Sequence, residues 1–154
     1  MATYFLDSSA AVKRYVTETG SAWMNRLVDA AAGHLITLSR LATVEVPAGL
    51  ARRKREASIP DNHFRDSLNA FLRAVHSQYQ LIETDETVCN LARDLIVRHP
   101  LRAYDAVQLA SALAANQVLL KSNLSALTFI SADARLTTLA QAEGLATDNP
   151  SLYP

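Results

Sequence analysis

The chain has 154 residues, of which 49% are hydrophobic and 19% charged, and its 15 basic residues balance 15 acidic residues. This composition excludes a disordered or strongly acidic segment, and the length suits one domain, which we expect to span residues 1–154. The single cysteine, Cys89, excludes a disulfide framework and a cysteine-based zinc site. Together with the lack of a long apolar run and of a basic leader, it predicts a cytoplasmic protein without a membrane span.

Short apolar runs alternate with longer helical patterns along the chain. In chain order, a strand at Thr3–Leu6 precedes two helices that end at Gly20 and Gly33, a strand at Leu35–Leu38, and helices over Ser39–Arg55 and Asp61–Ser77. The second half adds a strand at Gln80–Ile82, a helix to about Arg98, an alanine-rich helix over Leu101–Ala115, a strand at Leu127–Ser131 and a helix that ends at Gly144. This alternation predicts an α/β fold, in which helices cover both faces of a parallel sheet. Ligands of such sheets bind beyond the carboxyl ends of the strands.

Four acidic residues are the candidates for chemistry. Asp7 and Asp133 each follow a predicted strand and begin a helix, Asp105 lies near the start of the alanine-rich helix, and Glu45 lies inside the helix after the second strand. Each aspartate also has a purely structural interpretation, because Asp is a preferred helix N-cap. If the four acids converge at one edge of the sheet, they form a cluster of like charge. Oxygen ligands without His or Cys companions favour Mg²⁺ or Mn²⁺.

Glu45 has the most informative surroundings of the four acids. It is flanked by valines, and a carboxylate is costly to bury there unless it is paired or binds a metal. The alternative is a solvated glutamate that pairs with Arg40 or Arg52. Pro47 follows two residues later and is expected to remove a helical hydrogen bond and kink the helix, which would redirect Glu45.

Because the net charge is zero, any attraction to nucleic acid must come from a local basic patch. The strongest basic run is Arg52–Arg55. On a continuous helix Arg52 lies on the same face as Glu45, about 10.5 Å away at 1.5 Å per residue, where it could hold a phosphate. Lys13 and Arg14, which follow the first acid, extend this basic rim and are further candidates for RNA contact. The alternative is a basic helix end that answers the helix dipole.

Four sequence motifs carry a resemblance to a known family. The segments YFLDSSAAVKRYV, TVEVPAGLARR, RAYDAVQLASA and TFISADARLTTLAQAEGL together resemble the PIN-domain ribonucleases, above all the VapC-type toxins of toxin–antitoxin pairs. The resemblance runs from about Thr3 to Pro150. It implies a PIN-like three-layer α/β fold whose central parallel sheet has four or five short strands flanked by helices. It also implies a metal-dependent endoribonuclease that uses Mg²⁺ or Mn²⁺, an antitoxin encoded alongside that covers the site, and a homodimer.

The resemblance assigns roles to individual residues. The metal-binding and catalytic acids that it implies are Asp7, Glu45, Asp105 and Asp133. Ser9 matches a hydroxyl position that supports the site, and Ser131 stands where the family often has Thr. Residues 148–150 resemble the closing strand and loop of the family.

Two other interpretations are left open by the sequence. A catalytically silent PIN-like fold would bind RNA or protein and keep its acids only as helix caps. An Asp-centred phosphoryl-accepting receiver or dehalogenase-like phosphatase is the other interpretation. The phosphatase needs a second Asp where this chain has Ser9, and the receiver needs a Lys near Ser131 that is absent.

Overall fold

A parallel sheet of five strands forms the middle layer of the protein. The computed structural model describes residues 1–154, and the strand order is β3-β2-β1-β4-β5. The strands are β1 (Thr3–Leu6), β2 (Leu35–Ser39), β3 (Gln80–Ile82), β4 (Thr128–Ile130) and β5 (Ala146–Asp148). All neighbouring pairs are parallel, which confirms the predicted sheet type.

Helices form the two outer layers. They are α1 (Ser8–Ala11), α2 (Ser21–Val28), α3 (Ala42–Arg55), α4 (Asp61–Ser77), α5 (Glu86–Arg98), α6 (Ala103–Lys121) and α7 (Ala134–Ala142). Short 3-10 turns lie at Val12–Arg14, Ala30–Ala32 and Pro150–Leu152. None of the helices has the length and apolar character needed to cross a membrane.

The predicted helix that ends at Gly20 is wrong. Only α1 and the 3-10 turn after it are helical, because the β-branched residues Val16, Thr17 and Thr19 that follow disfavour a helix. The next predicted helix also ends early. Asp29 leaves the helical region with ψ 131°, and its side chain accepts a hydrogen bond from Ala31 N, which starts a separate turn.

Alternation along the central strands divides the core into two clusters. Phe5 and Phe129 face α5, α6 and α7, and their rings stack with centroids 5.8 Å apart. Leu6 and Ile130, their neighbours in the chain, face the cluster formed with α1 to α4. The register pairs Phe5 with Phe129 and Leu6 with Ile130, so the ends of β1 and β4 are level. This register places the loops that follow both strands side by side.

Gly20 lies directly before α2, where the 3-10 turn Pro150–Leu152 packs against that helix. Its φ is +88°, and an added Cβ would lie 2.3 Å from the carbonyl oxygen of Pro150. Beside this contact, the rings of Trp23 and Tyr153 stack with centroids 4.6 Å apart. The close approach of two backbone segments therefore requires glycine at this position.

We expect Gly20→Ala to lower the free energy of unfolding by more than about 2 kcal/mol, because a left-handed backbone alone costs an L-residue about 1–2 kcal/mol and the Pro150 carbonyl must also move. Gly33→Ala is the matched control, since Gly33 has φ +69° but nothing within 4 Å of an added Cβ. Urea denaturation of both variants measures the difference. Equal losses would show that the contact with Pro150 carries no energetic weight.

Candidate active site

The four predicted acids lie at the carboxyl end of the sheet. Asp7 follows β1 directly, and its backbone N donates to Ile130 O at 3.0 Å. Asp133 follows β4, while Glu45 and Asp105 lie in the first turns of α3 and α6. Burial is the main cause that raises the pKa of Asp7, Glu45 and Asp105. The negative charge of Asp105 adds to the increase for Asp7 and Glu45, and the charge of Asp133 adds to that for Asp105. The acids are therefore close enough to interact electrostatically.

Asp7 is the most buried of the acids, with 4% exposure. Its Oδ1 accepts hydrogen bonds from Ser9 Oγ at 2.6 Å and from Ala10 N at 3.0 Å, which caps α1. Its Oδ2 accepts from Ser131 Oγ at 2.7 Å. Burial raises the pKa of Asp7 to about 6 although these three hydrogen bonds lower it. The side chain is thus rigidly held but electrostatically uncompensated.

The hydroxyl groups of Ser9 and Ser131 join the loop after β1 to the loop after β4. Ser9 Oγ accepts from Ala132 N at 3.0 Å and lies 3.4 Å from Ser131 Oγ. Ser131 Oγ also accepts from Asp133 N at 3.1 Å. One network of short bonds therefore connects Asp7 to the backbone of Asp133.

Glu45 lies among polar groups that sequence reasoning did not single out. Its Oε1 is buried and has no hydrogen-bond partner. Nearby, Gln108 Nε2 donates to Ser8 Oγ at 2.9 Å, whereas Gln108 Oε1 is also buried without a partner. Burial raises the pKa of Glu45, and Ser8 and Gln108 lower it in part. The sequence signal for Gln108 is a polar side chain one turn after Asp105 on a helix rich in alanine and leucine.

Pro47 does not end the helix that carries Glu45. Although proline removes one backbone donor, α3 continues through it to Arg55. Glu45 lines a groove together with residues of α1, so the proline does not carry the side chain away from the site.

Asp105 and Asp133 differ in how their oxygens are used. The Asp105 carboxylate accepts no hydrogen bond, and burial and the Asp133 charge raise its pKa against the opposing charges of Arg102 and Arg135. Asp133 Oδ1 caps α7 by accepting from Arg135 N at 2.9 Å and Leu136 N at 3.4 Å. The structural interpretation as helix caps is therefore confirmed for Asp7 and Asp133, but it does not account for Asp105.

The donor set fits a hard divalent cation in its chemistry. Glu45 Oε1, both oxygens of Asp105 and Oδ2 of Asp133 accept no hydrogen bond, and carboxylate oxygens are the ligands that Mg²⁺ and Mn²⁺ prefer. As the side chains stand, no three acids form a group that could hold one ion. A metal bound by three of them would need their side chains to rotate toward one another, whereas one or two carboxylates with water suffice for Mg²⁺. A bound cation would compensate the buried negative charge and the mutual repulsion that raise the pKa values of these acids.

A groove of about 550 Å³ runs past Glu45. Its lining residues are Ser8, Ser9, Val12, Lys13, Glu18, Glu45, Ala48, Gly49, Arg52, Arg53, Arg55, Tyr104 and Ala132. Glu18 binds two of the cations, Lys13 and Arg53, each at 3.2 Å. Arg52 and Arg55 are exposed and form no ion pair. The groove therefore offers two free guanidinium groups beside the acids.

Arg14 does not line this groove, and its contact with RNA stays a prediction. Its guanidinium donates to Gln78 Oε1 at 2.7 Å and to Tyr79 Oη at 2.8 Å, and it packs over the Tyr15 ring. Arg14 thus joins the 3-10 turn after α1 to the residues that follow α4. Lys13 does line the groove, but its ammonium already donates to Glu18 and to the Thr19 carbonyl, at 2.8 Å from the latter.

Comparisons with known proteins agree with this geometry. The family model of the PIN domain matches residues 4–141. The ribonucleases VapC45 and VapC49 of Mycobacterium tuberculosis are each 37% identical over 114 residues, which cover 74% of this chain and 77% of theirs.

Solved structures share the fold at low identity. VapBC2 of Rickettsia felis, solved with a promoter DNA fragment, has a TM-score of 0.63 at 15% identity and covers 96% of this chain and 98% of its own. The Mycobacterium tuberculosis toxin VapC20, described as cleaving the sarcin–ricin loop, has a TM-score of 0.62 at 16% identity and covers 93% and 96%.

Proposed function

The chain belongs to the PIN-domain family, and within it to the VapC-type ribonucleases of toxin–antitoxin pairs, and from this premise we propose that Asp7, Glu45, Asp105 and Asp133 cut RNA with the help of Mg²⁺ or Mn²⁺. The observation that carries the proposal is the carboxylate of Asp105. It has a raised pKa and no hydrogen-bond partner, yet it lies beside a groove with free arginines. Family membership contradicts the receiver and phosphatase interpretations.

The surroundings of each acidic residue indicate its role in the reaction. When bound, the divalent ion supplies an activated water and stabilises charge on the phosphodiester. Asp105 orients or deprotonates the attacking water, because burial and the Asp133 charge raise its pKa and its oxygens accept no hydrogen bond. Asp7, held by Ser9 and Ser131, fixes the position of the site on the sheet.

Arg52 and Arg55 bind the phosphates of the RNA. We expect Arg52→Gln and Arg55→Gln each to weaken RNA binding at every sequence tested and to reduce the dependence on salt by about one released ion, since each phosphate contact displaces a counterion. Binding titrations at several salt concentrations measure the slope. Arg73→Gln is the matched control, because Arg73 is exposed on α4 and forms no ion pair. An unchanged slope in both groove variants would contradict phosphate binding by Arg52 and Arg55.

An antitoxin is the protein partner. The fold is shared with VapBC2 of Rickettsia felis, which was solved bound to DNA, and we propose that the partner of this chain covers the groove and blocks the acids. We propose further that the toxin is a homodimer. Co-expression with the product of the adjacent gene, followed by light scattering of the free and bound protein, tests both statements.

A catalytically silent binding module is the alternative. It is disfavoured because a buried acid kept only for structure would be hydrogen-bonded, whereas Glu45 Oε1 is buried without a partner. Incubation of the purified protein with total cellular RNA, with Mg²⁺ or Mn²⁺ and with a chelator, decides between the two. We expect cleavage only with metal, and mapping of the cut ends identifies the substrate. Intact RNA with either metal would favour the silent module.

A further inference from the structure

Tyr104 is the one aromatic side chain without an aromatic or cationic neighbour. The other rings are paired: Tyr4 with His34, Phe5 with Phe129, Trp23 with Tyr153, Tyr15 and Tyr79 with Phe71, and Phe64 with the Lys54 ammonium. Tyr104 is also 64% exposed, against 36% for Tyr153, the only other exposed ring among the tyrosines, phenylalanines and tryptophan. Single exposed apolar groups are common on protein surfaces, so the position of this ring decides what it means.

That position is inside the groove described above. Tyr104 lines it together with Glu45, Arg52 and Arg55, and it directly precedes Asp105 in the first turn of α6. The ring therefore shares one open surface with Glu45 and with the two arginines that are free to bind phosphates. A chain of nucleotides that passes Glu45 also passes the ring.

We propose that Tyr104 is a substrate-positioning residue, whose ring stacks on an unpaired base next to the cleaved phosphodiester. This inference rests on the proposed function. Phosphate contacts such as those of Arg52 and Arg55 position a substrate without selecting it, whereas a base can stack on a protein ring only when it is free of its own duplex. Every base has a π face, so the ring selects strandedness rather than sequence. One such stack corresponds to about a fivefold to 150-fold gain in affinity.

Binding of RNA that carries the fluorescent base 2-aminopurine tests the proposal. The full chain is titrated, in chelator to prevent cleavage, with a single strand that carries the probe at successive positions, and with the same strand annealed to its complement. We expect Tyr104→Leu to weaken single-strand binding about tenfold and to abolish quenching at one probe position. Tyr104→Phe, which keeps the ring, should bind like the wild type. With metal present, Tyr104→Leu should raise KM more than it lowers kcat.

The matched control is Tyr153→Leu, because Tyr153 stacks on Trp23 and does not line the groove. Its binding should be unchanged, and circular dichroism verifies the fold of each variant. Wild-type affinity in Tyr104→Leu, an equal loss in Tyr104→Phe, or an equal loss of duplex binding would each overturn the proposal. Asp105→Asn separates this failure from failure of the proposed function: it should quench the probe without cutting, and cleavage by this variant would refute the acid site whatever Tyr104 does.

Discussion

Asp105→Asn is expected to lower RNA cleavage by at least about a thousandfold. Loss of one carboxylate from a metal-assisted site removes several kcal/mol of transition-state stabilisation, and each 1.36 kcal/mol is a factor of ten in rate. The same change should stabilise the fold at neutral pH. Burial and the Asp133 charge raise the pKa of Asp105, so its charged form is disfavoured in the folded protein. Single-turnover cleavage and urea denaturation of one preparation measure both effects.

A loss of activity together with a gain in stability distinguishes a functional acid from a structural one. Asp94→Asn is the matched control, because Asp94 is exposed on α5 and forms no ion pair. It should leave both quantities unchanged. If Asp105→Asn instead lost stability, Asp105 would have a structural partner, and its assignment as the base would be wrong.

The protein without divalent ions is expected to be more stable at pH 5 than at pH 7.5. Asp7 has a pKa of about 6 in the folded protein against 3.8 ordinarily, which corresponds to about 3 kcal/mol of unfolding free energy over the whole titration, about half of it between pH 5 and pH 7.5. A raised pKa means that the folded state binds the proton more tightly. The contribution of Asp7 to the free energy of unfolding is therefore complete below about pH 4 and is lost as the pH rises through about 6. Glu45 and Asp105, whose pKa values are also raised, act in the same direction.

Urea denaturation at both pH values, with chelator and then with Mn²⁺, measures this dependence. Asp7→Asn should remove most of the difference, since the neutral amide has no charge to bury. Asp85→Asn is the control, because Asp85 caps α5 through Val88 N at 2.9 Å but is exposed. Mn²⁺ should also reduce the difference by compensating the buried charge. A stability that is equal at both pH values without metal would contradict the uncompensated state of Asp7.

The strands and the location of the acids could be predicted because both depend on local sequence. The runs that form β1 and β3 are each followed directly by an acidic residue, and their predicted limits are confirmed. An acid directly after a parallel strand must lie at the carboxyl edge of the sheet, which places Asp7. Whether any acid binds metal stays a prediction.

The partners of the side chains could not be predicted, because they depend on packing between distant segments. Gln108 reaches Ser8 across 100 positions of the chain, and Arg14 reaches Gln78 across 64. A sequence shows that Arg14 and Arg52 are both basic but not that one is sequestered and the other free. The same is true of Lys13, whose charge is taken up by Glu18.

The bond between Asp7 and Ser131 has a consequence for the synthesis of the chain. The two residues are 124 positions apart, and β1 is flanked by β2 on one side and by β4 on the other. Such long-range pairing makes folding slow, since a large loop must close before the contact forms. A nascent chain can bury much of one core early, but it lacks its second core and its active site until β4 has left the ribosome. In this topology Asp7 and Asp133 can therefore come together only when translation is nearly complete.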